Sequence, residues 1–223
     1  MDGGRHGQGE VAEACAFFCA VLVFLWLLAI PVPWTGVVLL LAVVISWRRR
    51  SLTLASLGLG WKELRCSVRS WSLLWAVCIL LFVVLGHRIL FRLSVLEQGC
   101  VYFAWSAAQQ VVYQSMTYMP LRSSLRSRGL AAGLSGLAFA LVHAPNPVLV
   151  PGTFVWGTVS SLLFERCRTV WGLALMQVML ASMLLWTTPA EMNHGFRIGP
   201  YYYETHSQKT GGATFAPPIE LPR

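Results

Sequence analysis

The chain is written in long apolar blocks separated by short polar or proline-bearing breaks, with little of the striping that marks a helix half-buried in water. Ala14 to Ile30 is an almost unbroken apolar run closed by Pro31 and Pro33, and Trp34 to Trp47 follows it. Trp71 to Leu85 is the third block, and Gly99 to Tyr118, with several polar residues inside it, is the fourth. Gly129 to His143 is the fifth. After Ala144-Pro145-Asn146-Pro147 come the sixth, Val148 to Phe164, and the seventh, Thr169 to Trp186. A bilayer-crossing helix needs roughly 20 apolar residues, with a range of about 17 to 25, so several blocks are short for the task. The pattern predicts an all-α fold, a polytopic integral membrane helical bundle of about seven transmembrane helices.

The connections divide the chain further. Residues 1–13 form an N-terminal segment carrying both signs of charge, without the cleavage pattern of a signal peptide after Ile30. Residues 14–97 hold the first helices and a basic connection from Ser51 to Arg69. In it Leu52, Leu54, Leu57, Leu59 and Trp61 mix with Lys62 and Arg65. This connection is either an amphipathic helix lying on the inner membrane surface or a basic loop that only fixes orientation. Residues 98–187 form the membrane core, and 188–223 a polar tail whose end is expected to be disordered.

Composition agrees with the blocks. Apolar residues make up 56% of the chain and charged residues 12%, about half the soluble average; the mean hydropathy is +0.61. Arg48, Arg49, Arg50, Lys62, Arg65 and Arg69 follow the second block, Arg122, Arg126 and Arg128 the fourth, and Arg166 and Arg168 the sixth. Only Arg88 and Arg92 lie in the other connections. The positive-inside rule then predicts a cytoplasmic N-terminus and an extracytoplasmic C-terminus. The same asymmetry accounts for the net charge of +8, with no basic soluble face for nucleic acid. Cys15, Cys19, Cys78 and Cys100 lie in or beside apolar runs, and Cys66 and Cys167 on the expected cytoplasmic side. They read as small buried hydrophobes and not as a disulfide framework. Glu191, His194, Glu204 and His206 in the tail lack tight metal-ligand spacing.

Ionisable or amide side chains inside a span are functional candidates by default. Here they are Gln109, Gln110 and Gln114 in the fourth block, His143 at the end of the fifth and Gln177 in the seventh. Gln110 and Gln114 share a helix face, as do Phe139 and His143. A bland alternative is that the glutamines are packing glue between helices.

The run Gln109-Gln110-Val-Val-Tyr-Gln114, then Phe139-Ala-Leu-Val-His143-Ala-Pro-Asn-Pro147, then Gln177 four residues before Ala181, resembles the CPBP family. These are the type II CAAX prenyl endopeptidases and their bacterial, Abi-type relatives. The resemblance is best from Gly99 to Trp186. It implies a helical core around a membrane-embedded peptidase site in which motifs Glu-Glu-x-x-x-Arg, Phe-x-x-x-His and His-x-x-x-Asn bind and activate a water. It also implies a bacterial inner (plasma) membrane setting and a membrane-embedded or lipidated peptide or protein as partner.

The chain departs from those motifs where the chemistry sits. Gln109 and Gln110 stand at the glutamate positions, Gln114 at the arginine position, Gln177 at the histidine position and Ala181 at the asparagine position. Phe139 and His143 match. A glutamine amide cannot act as general base, and one histidine among amides is not a catalytic zinc site, so no cofactor is expected. Acid and arginine have gone together, which avoids an unpaired buried charge. This favours a catalytically inactive homologue. The alternatives are an active intramembrane endopeptidase with an atypical site, and a small transport or scaffold protein unrelated to proteolysis. The last predicts that the glutamines do not converge on His143. Glu97 and Glu165 are the carboxylates nearest the motifs in sequence.

Overall fold

A computed structural model of the chain describes residues 3–86 and 93–203. Each of the seven apolar blocks lies in helix. α1 (Gly3–Val23) continues through a π-helical turn, Phe24–Leu28, and stops at the Pro31 and Pro33 turn. α2 (Thr35–Arg49) ends on its arginines. α3 (Lys62–Ser70) and α4 (Ser72–Gly86) meet at Trp71 with a bend of 78°. α5 (Leu93–Tyr113) runs through a second π-helical turn, Gln114–Tyr118, into α6 (Met119–Ser124). α7 (Arg128–Leu141) starts where the Ser127 hydroxyl accepts from the Leu130 amide at 3.2 Å, an N-cap that satisfies one orphan donor. α8 (Leu149–Cys167) and α9 (Val170–Thr187) are separated by Arg168 in the left-handed region, φ +33°. No strand occurs among the described residues.

By length and composition, Gly9–Leu28 and Val170–Thr187 can cross a membrane, and α3 with α4 makes a third candidate if taken as one bent span. The expectation was about seven transmembrane helices; among the described residues two or three meet the requirement. α5 and α8, at 21 and 19 residues, fall short through their polar content, and the others through length. α2 and α4 have 15 residues each and α7 has 14, about 22 Å of helix against a hydrocarbon core of about 30 Å.

α7 and α8 pack closely because two glycines face each other. A Cβ on Gly157 would stand 2.9 Å from Gly136 Cα, and one on Gly136 would stand 2.7 Å from the Phe154 carbonyl oxygen. Small residues at such a crossing let helices approach where lipid offers no hydrophobic drive. α9 is the central helix, with Val170, Leu173, Ala174 and Met176 fully buried. α2 and α4 instead show Leu40, Leu41, Ile45, Leu73 and Leu80 on the surface, the composition of a lipid-facing wall.

One end of the bundle is basic. There Arg122 pairs with Glu165 at 2.9 Å, and the Ser123 hydroxyl donates to Glu10 at 2.8 Å. The Trp171 indole donates to the Leu59 carbonyl at 3.1 Å and stacks on Trp61 at 5.1 Å. The connection from Ser51 to Arg69 divides: turns through 58, then α3 from 62 onward. Cys66 and Cys167 are joined by a disulfide with a Cα–Cα distance of 5.7 Å. This corrects the sequence reading of both as simple small hydrophobes. α3 lies across the end of α8, which brings together residues 101 positions apart. Cys78 is buried as expected, whereas Cys15, Cys19 and Cys100 are exposed on the helix surfaces.

At the other end the chain folds back after α9. The short α10 (Ala190–Asn193) and two 3-10 turns, His194–Phe196 and Gly199–Tyr203, lie against the Ala144-Pro145-Asn146-Pro147 turn. The Gly199 amide donates to the Ala144 carbonyl at 2.8 Å. Up to residue 203 the tail is thus folded structure. Arg88, Arg92, Glu204 and His206 lie outside the described residues.

Candidate functional site

The fourth and seventh blocks meet as α5 against α9, and their amides meet with them. Gln110 and Gln114 are fully buried and Gln177 nearly so. The Gln114 Nε2 donates to Gln110 Oε1 at 3.0 Å, and Gln110 Nε2 to Gln177 Oε1 at 2.7 Å. Gln177 Nε2 in turn donates to Gln109 Oε1 at 2.6 Å. The Trp156 indole, arriving from α8, donates to the same Gln177 Oε1 at 3.1 Å. All four glutamines named from the sequence form one hydrogen-bonded line. The π-helical turn starts at Gln114, and such turns are frequent at functional sites.

His143 sits just past the end of α7, where helix carbonyls lack partners. Its Nδ1 lies 2.7 Å from the Phe139 carbonyl oxygen. A carbonyl only accepts, so Nδ1 carries the proton, and in the neutral ring Nε2 is left as an acceptor. Phe139 holds the imidazole edge-on at 4.8 Å and is itself packed on Tyr113 at 4.7 Å. The Tyr113 hydroxyl donates to the Gly157 carbonyl at 2.9 Å, locking this cluster to α8.

Gln109, Gln177, Ala181, Phe139 and His143 line one cavity of about 1210 Å³. Its remaining walls are mostly apolar and come from α1, α2, α4, α5, α7, α8, α9 and the folded tail. Gln110 and Gln114 lie behind this wall and brace it. Trp156 and Tyr102 also face the cavity; neither stands out in the sequence, because an aromatic residue in an apolar run reads as lipid-facing and hides its polar atom. Asn146 was also unassigned. Fully buried, it accepts from the Val148 and Leu149 amides and donates to the carbonyls of Asn193 at 2.8 Å and Arg197 at 3.1 Å. It thereby ties the folded tail to the turn that follows His143.

No carboxylate lines the cavity among the described residues. Glu97 is exposed on α5. Glu165 is at the basic end, where Tyr118 and Arg122 donate to it at 2.6 and 2.9 Å. The Tyr118 hydrogen bond, helped by Arg122, holds its carboxyl below the usual range, and Glu165 holds the Arg122 guanidinium above its own. Both side chains are committed to closing that end. The donor set also bears on a metal. One imidazole and a line of amides already bonded to one another do not suit zinc, which takes about three imidazole, thiolate or carboxylate ligands. No group of three such side chains occurs among the described residues.

Comparison with known proteins decides the family. A family model described as type II CAAX prenyl endopeptidase Rce1-like matches residues 69–183, a little over half of the chain. The chain belongs to this family. Its matched segment takes in α4, α5, α7, α8 and nearly all of α9, hence the whole amide line and His143. No curated protein and no solved structure matches the chain. Family and apolar helices together make this a CAAX-protease-like membrane protein.

Proposed function

We propose that this Rce1-like chain is a catalytically silent member of its family that holds a membrane-embedded or lipidated peptide or protein in its cavity. The observation that carries the reading is the closed line Gln114–Gln110–Gln177–Gln109 at the positions where proton-transfer groups would be needed. These amides bond to one another, carry no charge and offer no base, so the site can bind an apolar chain without activating water. Gln109 and Gln177 line one cavity with His143, which speaks against an unrelated transport or scaffold protein. In this reading about seven helices sit in a bacterial plasma membrane, N-terminus inside and C-terminus outside, in keeping with the cations gathered at one end.

The test uses purified full-length protein in lipid nanodiscs with a fluorogenic farnesylated peptide and a matched transmembrane peptide. The expected result is saturable binding of at least one of them with no cleavage by native protein. Cleavage that disappears in His143→Ala would establish the active-enzyme reading instead. If neither peptide binds, the holding function is wrong.

A further inference from the structure

The direction of the amide line has a source. An amide can turn end for end, exchanging its donor and acceptor, and nothing within a chain of glutamines chooses a direction. Trp156 does choose, because an indole N–H only donates. Its 3.1 Å bond requires that Gln177 present Oε1 toward α8. Gln177 Nε2 must then face Gln109, which accepts through Oε1 at 2.6 Å. Gln110 must approach Gln177 Oε1 as a donor, at 2.7 Å, and its own Oε1 then receives Gln114 at 3.0 Å. Every link points the same way, and aligned links strengthen one another. The two ends of the line differ accordingly. At the buried end Gln114 Oε1 has no partner. At the cavity end the Gln109 oxygen is taken and its NH₂ group is left to face the space that His143 also lines.

We propose that Trp156 is a positioning residue that sets the specificity of the cavity, by orienting the amide line so that Gln109 offers N–H donors to a ligand acceptor in the cavity that His143 also lines. The ligand group that fits carries a carbonyl oxygen, as an amide or a ketone does. The inference rests on the reading that the cavity holds a ligand, and adds which polar group it reads and which residue decides.

Displacement of an environment-sensitive fluorescent fatty-chain probe from nanodisc-embedded protein tests this. Four competitors share one saturated chain and end in an N-methyl amide, a methyl ketone (acceptor only), a pyrrole (donor only) or plain hydrocarbon. Native protein is expected to prefer the two carbonyl competitors over hydrocarbon by about threefold to tenfold, one neutral hydrogen bond. In Trp156→Phe the donor goes, so the ratio of ketone to hydrocarbon affinity should fall toward one. Gln177→Met cuts the same line at its next link and should give the same loss. The double variant should lose no more than either alone, an outcome that a general packing defect does not produce. If ketone keeps its advantage in both variants, the role of Trp156 is disproved while the cavity reading stands. If no competitor displaces the probe from native protein, the cavity reading fails and this inference with it.

Discussion

At the residue scale the amides do two jobs, and their burial separates them. Gln177 accepts from Trp156 and Gln110 and donates to Gln109. Gln177→Leu would leave three polar groups unmet in a membrane interior. Each unmet group costs about 1–3 kcal/mol in water-soluble proteins and less where lipid-side partners can be found. The expected loss is about 2 kcal/mol or more, read from the midpoint of an SDS-unfolding titration. Gln114→Leu should cost less than about 1 kcal/mol, because its Oε1 is already without a partner and only one bond is given up. Equal costs for the two variants would show that the line is ordinary packing glue. The sequence flagged these four glutamines because intramembrane amides are expensive. It could not give their order of donation, which depends on an indole from another helix whose hydrocarbon bulk conceals its single donor.

Among elements, the pairing of α7 with α8 fixes where His143 stands, since α7 ends beside it. That pairing depends on the Gly136–Gly157 contact. In Gly157→Val the added carbons would meet Gly136 Cα at 2.9 Å and the Tyr113 hydroxyl at 3.1 Å. Backbone on one side and a hydrogen-bonded tyrosine on the other leave little room to yield, so overpacking should cost about 1–3 kcal/mol or more. Gly152→Ala on the same helix is the control, with its Cβ at an ordinary 3.5 Å from Leu184, and should be neutral in the same titration. The all-helical fold was legible because long apolar runs admit few other structures in lipid, although only two or three of the described helices are long and apolar enough to span. The folded tail was not. Residues 188–203 have no apolar period and are held by Asn146 and the Ala144 carbonyl, partners in a turn far away in sequence.

For the whole molecule, two markers of sidedness meet at one end and pull in opposite directions. Arg48, Arg49, Arg50, Arg122, Arg166 and Arg168 gather there, and in the proposed orientation the positive-inside rule puts that end on the cytoplasmic side. The Cys66–Cys167 bridge closes the same end, and disulfides persist where the compartment is oxidising. Spacing in the sequence could not foresee the bridge, because pairing across 101 residues needs α3 laid over the end of α8. With the N-terminus inside, both cysteines should be thiols in the growing cell and close into the bridge once the protein is purified in air. Acid-quenched cells treated with light maleimide, then reductant, then heavy maleimide should carry the light label at both positions by mass spectrometry. Heavy label at both would place the basic end in an oxidising compartment and reverse the orientation. In the purified protein the bridge ties the amphipathic α3 to the helix whose Trp156 orients the amides. Reductant should therefore lower the melting temperature of native protein and leave that of Cys66→Ser with Cys167→Ser unchanged. A native protein insensitive to reductant would mean that packing of α3 against α8 already holds that end without the covalent link.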